Sequence, residues 1–275
     1  MPGDPGFRRG TFRDHLCLNG LGFWCGLATL GVMKQAIPKW LLSRLPKRQK
    51  PSGSGICTEA YHVGRERSPA LKYRLHRRTA EVCLAASRHL DREPRVILDV
   101  GTADAMMLSA LGGTWPSARL VGVDLSLELL KTCRDPKVDL ALADAEALPV
   151  ADASVDLLVA TAVVEHVPRP EQVFAEMHRV LAPGGLVVIT TPHPFWEELA
   201  TLVGHLPDEQ HHETMTIERL TQLCEGAGLD PVGTKRFMLS PVGLPLEEGV
   251  EHFVRWVGLE MLFANQLIAA SRRDE

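Results

Sequence analysis

Asp99 closes the run Val96-Ile97-Leu98-Asp99-Val100-Gly101, and Asp124 closes Leu120-Val121-Gly122-Val123-Asp124-Leu125. Each run reads as a buried strand ending in a carboxylate, and Gly101 opens a sharp turn just after the first. Strand, glycine turn, helix and a second strand ending in an acid build a βαβ nucleotide cradle. In such a cradle the turn lets a ligand approach the backbone, and the second carboxylate can accept hydrogen bonds from both ribose hydroxyls.

The elements that must position these acids follow from the pattern on either side. Strands are predicted at about 95–100, 119–124, 138–143, 155–160 and 185–190, with helices around 104–111, 126–133 and, after a turn at 162–167, 170–182. The strands are apolar along most of their length, as expected when helices cover both faces of a parallel sheet. Ser68-Pro69 opens an earlier helix, with Ser as cap and Pro in the first turn. A helix at 216–226 leads to a strand at 231–238, and a helical insertion at 247–262 precedes a last strand at about 264–270.

The chain has 275 residues and a formal net charge of −4, unevenly spread. Residues 1–78 hold fifteen Lys and Arg against four acids, which leaves fifteen against thirty for 79–275. An acidic body with a basic arm implies an anionic partner for the arm, a lipid surface or nucleic acid. A solvated arm that folds back on its own body is the alternative reading. Residues 1–57 are expected to form this basic and apolar extension, and 58–275 a single domain. Trp40-Leu41-Leu42 among Lys39, Arg44, Lys47 and Arg48 is a short interfacial pattern, suited to peripheral membrane contact. The apolar stretch 16–33 reads either as a signal or anchor, weakened by Asn19 and four glycines, or as residues upstream of a true start at Met33. Six cysteines without paired spacing fit reduced thiols and a cytoplasmic location.

From Arg95 to about Ala270 the chain resembles the class I S-adenosylmethionine-dependent methyltransferases, in the broad group (methyltransferase type 11) that includes the ubiquinone and menaquinone methyltransferases. Four segments carry the likeness: 96–101, Gly122-Val123-Asp124-Leu125, Ala143-Asp144-Ala145-Glu146-Ala147-Leu148-Pro149, and 154–185 with its Glu165-His166-Val167 and Pro183-Gly184-Gly185. The resemblance implies a doubly wound, Rossmann-like α/β sheet of seven strands, six parallel and the last antiparallel. It also implies S-adenosylmethionine as cofactor and methyl transfer to a small-molecule or lipid-like acceptor. Gly101 and Ala103 would lie against the methionine part of that cofactor, and Asp99 would face its ammonium group. Asp124, with Leu125 beside it, would take the ribose; Asp144 and Ala145 would meet the adenine; Thr161 would stand where cofactor and acceptor meet. Asp156 is read as structural, since Asp favours strand ends for turn and cap chemistry.

The first loop departs from the family's three alternating glycines, reading Gly101-Thr102-Ala103-Asp104-Ala105. Alanines preserve such a turn if their φ is negative, and Asp104 brings a negative charge toward the cofactor's carboxylate. This departure supports a rival reading, a methyltransferase-like binding or regulatory protein without turnover. A general base is needed chiefly for a hydroxyl or an acidic carbon acceptor; His166 and His193, after the fourth and fifth strands, are the candidates. His205, His211, His212 and Glu213 lack metal-ligand spacing, so no metal is expected. Nucleic acid is disfavoured as a substrate, because an acidic body repels phosphates and neither Asn-Pro-Pro-Tyr nor a Pro-Cys thiol occurs. Val250, Phe253, Val254, Val257 and Met261 recur at helical spacing, which fits either a substrate-access element or core burial.

Overall fold

The computed structural model describes residues 68–196, 213–240 and 247–273. The extension at 1–57, the segment around His205, His211 and His212, and Pro241 lie outside them. Helix α1 (Pro69–His89) is followed by β1 (Val96–Val100), α2 (Met106–Thr114), β2 (Arg119–Asp124), the single turn α3 (Leu127–Leu130) and β3 (Val138–Leu142). Then come β4 (Val155–Thr161), a 3₁₀ turn at Val164–His166, α4 (Pro170–Val180), β5 (Leu181–Pro192), α5 (Ile217–Gly226) and β6 (Leu229–Phe237). Helix α6 (Glu247–Trp256), a second 3₁₀ turn (Glu260–Leu262) and β7 (Asn265–Arg272) complete the order.

The seven strands form one sheet in the order β3-β2-β1-β4-β5-β7-β6. Strands β1 to β5 pair in parallel, while β7 runs antiparallel to both β5 and β6, so six strands share one direction and the last opposes them. This is the expected doubly wound architecture. Strand order reverses between β1 and β4, and ligands of open α/β sheets bind beyond the strand C-termini at such a switch point.

Alternation along the strands divides the core in two. Ile97, Leu157, Val159 and Val188 pack with Val82 and Ala86 of α1 and Leu108 and Leu111 of α2. Their neighbours Leu98, Leu158, Val187 and Ile189 point the other way, against Phe174 and Met177 of α4 and Leu220 and Leu223 of α5. Both faces are therefore covered, which accounts for the nearly unbroken apolar strands. Burial also pushes the Cys224 thiol of α5 up to about 12, so it serves as an apolar core residue.

Ser68 caps α1 as expected, its Oγ accepting from Leu71 N at 3.4 Å. Asp156 is structural as read: Oδ2 accepts from Arg95 N and Val96 N, each at 3.0 Å, and fixes the entry to β1. Several boundaries differ from the sequence pattern. Helix α2 starts at Met106 rather than 104, because Ala105 sits in the left-handed region at φ 58°. The segment 126–133 keeps only one helical turn, and β5 starts four residues early, at Leu181. The insertion at 247–262 divides into α6 and the 3₁₀ turn, broken where Gly258 takes φ 76°.

Candidate functional site

The site begins with how the loop after β1 is held. Gly101 N and Thr102 N donate to Val123 O at 2.8 and 3.0 Å, fastening the loop to the end of β2. Gly101 takes φ 72°, and a Cβ there would stand 2.3 Å from Val163 Cγ2 in the loop after β4. Only glycine lets these two loops meet across the switch point. Ala103 N then donates to Asp124 Oδ2 at 2.8 Å, while Ser126 N donates to Asp124 Oδ1 at 2.7 Å. One carboxylate thus ties the first loop to the turn after β2. Each carboxylate oxygen carries two lone pairs, so Asp124 retains acceptor capacity for a diol beside these backbone bonds.

The loop bears on two features of the sequence. Ala103 and Ala105 have positive φ, 54° and 58°, not the negative values that would have made the alanines neutral substitutes. An L-residue held there costs roughly 1–2 kcal/mol, so the chain keeps a glycine-shaped loop without the glycines. Asp104 is buried and Oδ1 accepts from Met106 N at 3.3 Å. Its carboxylate thus meets the first N–H of α2, where negative charge is favoured.

The other predicted cofactor residues lie along the same edge. Asp99 is buried within β1, in register with Gly122 of β2 and Val159 of β4. Asp144 follows β3 and is exposed; Oδ1 accepts from Glu146 N at 2.9 Å, and Ala145 is buried behind it. Ala143 N reaches Asp124 O at 3.0 Å, which sets the β3 end beside the β2 end. Leu125 is exposed next to Asp124, and Leu142, paired with Asp124 in the sheet, is exposed as well. Thr161 ends β4 with Oγ1 3.8 Å from Met107 Sδ. The following Ala162 takes φ 54° and donates to Thr190 O at 2.7 Å.

The two histidines occupy the predicted edge in different settings. His166 closes the 3₁₀ turn, its N–H bonded to Val163 O at 2.9 Å. His193 follows β5; its backbone N donates to Ala264 O at 2.9 Å and its Nδ1 accepts from Phe195 N at 3.2 Å. With Nδ1 accepting, the proton of the neutral ring lies on Nε2, which then donates. Among the described residues no cluster of three metal-ligating side chains occurs, and Glu213 pairs instead with Arg219 at 2.7 Å.

Two clamps that the sequence pattern does not announce hold the loop after β3. Glu146, buried, takes Arg169 N at 3.1 Å, Arg169 Nε at 2.9 Å and its Nη2, joining the loop to the start of α4. Glu176 accepts from Leu148 N at 2.8 Å and from Arg179, whose Nη groups also bind Leu148 O and Val150 O. Hydrogen bonds from Arg179 hold the Glu176 carboxyl below the usual carboxylate range. Apart from Glu176 and Arg179, three residues apart on α4, these partners lie 23 to 31 residues apart, so no local spacing announces them.

The donor set suits one ligand type. Three aspartates at the ends of neighbouring strands β1, β2 and β3, with apolar Leu125 and Leu142 beside them, favour a cationic group, a diol and a flat ring. S-adenosylmethionine presents those features, and the one added acid, Asp104, is turned into the α2 N-terminus.

Comparison with known proteins agrees with this geometry. Residues 98–189 match the family model described as a methyltransferase domain. Malonyl-[acyl-carrier protein] O-methyltransferase of Methylococcus capsulatus is 34% identical over 122 residues, 42% of this chain and 44% of that protein. Trans-aconitate 2-methyltransferase of Azoarcus is 34% identical over 139 residues, 50% of this chain and 54% of that protein. The chain thus spans about half the length of these curated relatives. Among solved structures, Haemonchus contortus phosphoethanolamine N-methyltransferase 2 in complex with S-adenosyl-L-methionine superposes with a TM-score of 0.53 at 15% identity, covering 71% of this chain and 53% of that one.

Proposed function

We propose that this chain, which carries a class I S-adenosylmethionine-dependent methyltransferase domain, transfers a methyl group from S-adenosylmethionine to a small-molecule or lipid-like acceptor. The observation that carries the reading is Asp124, whose carboxylate receives Ala103 N and Ser126 N and so holds the first loop in a cradle at the switch point. In this reading Asp124 takes the ribose hydroxyls and Asp99 the ammonium group. Asp144 and the Ala145 backbone meet the adenine between Leu125 and Leu142. S-adenosylmethionine supplies a methyl group already activated on a sulfonium, so the protein's task is alignment and exclusion of water.

The acceptor class follows from the histidines and from the relatives' names. A carboxylate oxygen is a nucleophile without any base, and malonyl and aconitate groups are carboxylic acids. His193 as an Nε2–H donor fits the orientation of such an acceptor, while His166 remains the candidate base for an acceptor that needs one. The test is calorimetric titration with S-adenosylmethionine and S-adenosylhomocysteine, followed by S-adenosylhomocysteine release in the presence of small, lipid-linked and carrier-linked carboxylic acids. Binding with acceptor-dependent release supports the reading. Absence of binding to both compounds overturns it.

The second reading, binding without turnover, is favoured by one observation, the two alanines held at positive φ in the loop. It predicts binding of both compounds with no acceptor-dependent release.

A further inference from the structure

Helix α6 is built inside out. Two of its carboxylates face the body: Glu251 takes Arg77 Nη2 at 2.9 Å and Met238 N at 3.0 Å, and Glu247 takes Leu239 N at 2.9 Å, Ser240 N at 3.1 Å and the Tyr73 hydroxyl. Burial, reinforced by Glu247, keeps the Tyr73 phenol protonated far above its usual range. Val254 alone of the helix's large apolar side chains is buried; Val250, Phe253 and Trp256 point to solvent, and Val257, Leu259 and Met261 continue the exposed surface beyond it. Phe253 is 59% exposed and Trp256 82%, with their rings 6.0 Å apart. The helical spacing of these residues therefore reports an outward face, not the core.

We propose that this face docks on an anionic lipid bilayer. Contiguous exposed apolar surface of this kind marks an interface, and two aromatic rings at its tip suit the headgroup boundary. Charge selects the lipid surface as occupant. The polypeptide that enters the body at Ser68 carries eleven Lys and Arg against four acids over residues 1–67. It joins α1 five residues before Tyr73, about 7–8 Å along the helix, and Tyr73 bonds the first residue of α6. Lys72 is exposed on the same stretch of α1. The basic segment is covalently continuous with the start of α1, while the remaining chain is acidic. Stable peripheral binding needs two signals, and an apolar face plus a polybasic segment is such a pair. The face also adjoins the end of β5, where Trp196 Nε1 donates to Leu262 O at 3.2 Å.

The test uses the full chain in co-sedimentation with vesicles of mixed phosphatidylcholine and phosphatidylglycerol, against phosphatidylcholine alone. Binding is expected to the anionic vesicles, weakened by salt. In Phe253→Glu/Trp256→Glu it is expected to fall at least about tenfold, since each ring contributes well over one decade of partitioning. Both rings are exposed, so thermal unfolding should be unchanged; Phe253→Ser/Trp256→Ser repeats the test without added charge. Titration with S-adenosylmethionine should not distinguish these variants from the wild type. Undiminished vesicle binding in both double variants overturns the proposal, as does absence of vesicle binding by the unaltered chain. If the unaltered chain instead dimerises and the double variants do not, the face belongs to a second copy.

Discussion

Between β1 and β3, carboxylates at the strand ends receive backbone N–H groups: Asp124 takes Ser126 beside it and Ala103 from the loop after β1, and Asp144 takes Glu146. Between β6 and β7, carboxylates on α6 reach inward across long sequence separations to Arg77 and Tyr73, and the apolar residues are left outside. In the first region acids preorganise a short loop and leave lone pairs for a ligand. In the second they anchor an added helix so that its outer face is free to differ. The cradle is thus closed by backbone donors, and the added helix by backbone donors together with charged and hydroxyl side chains of α1.

The anchoring half of this contrast breaks most sharply at Glu251, which is buried with Arg77, Arg255 and Met238 N as partners. Glu251→Ala removes a carboxylate from the half-buried Arg77 and leaves Met238 N without its acceptor, and should cost about 1–3 kcal/mol of stability. Denaturant unfolding measures it. A loss below about 1 kcal/mol would mean that α6 is held by Val254 and the helix ends instead.

On the cradle side, Asp124→Ala should weaken S-adenosylmethionine binding by at least roughly tenfold, because charge-assisted hydrogen bonds contribute about 1.5–3 kcal/mol each. Calorimetry on the folded variant decides it, and unchanged affinity would remove the ribose assignment. A smaller effect, of opposite sign, belongs to the loop alanines. Ala103→Gly should stabilise the chain by about 1 kcal/mol by relieving the left-handed conformation, offset in part by glycine's greater freedom when unfolded. Thermal unfolding gives the sign.

The smallest effect concerns pH. Hydrogen bonds from Arg179 lower the folded-state value of Glu176, so its contribution is present above the unfolded value of about 4.3 and is lost as pH falls through the lowered folded one. The difference in Tm between wild type and Glu176→Gln should be largest above about pH 5 and shrink below pH 4. A difference that stays constant with pH would assign Glu176 a packing role only.

Much of the sheet was legible in the chain itself, because β1, β2, β4 and β5 are apolar on both faces and are punctuated by Gly or Asp. Asp124, Gly101 and Asp144 carried local signatures as well. Two kinds of feature were not legible. The conformation of Ala103 and Ala105 is imposed by Val123 O, Asp124 and the start of α2, whereas alanine's own preference is right-handed. The orientation of α6 was ambiguous because a 3.6-residue period states that a face exists and not which way it points. Only the partners Arg77, Tyr73 and Met238 N, drawn from α1 and the end of β6, decide that the charged side turns inward.

Phe237 and Asn265, the last residue of β6 and the first of β7, pair directly, and Ala264 N closes the pair onto Met238 O at 2.7 Å. Everything from Met238 to Ala264 therefore leaves and re-enters the sheet through a single gate. Its length is nearly independent of strand register, since each doubling of a flexible connection costs only about 0.6 kcal/mol in closure. A shorter connection replacing α6 would leave the β6–β7 register and the cradle on β1–β3 in place, at the cost of the bonds that Glu247 and Glu251 make with α1.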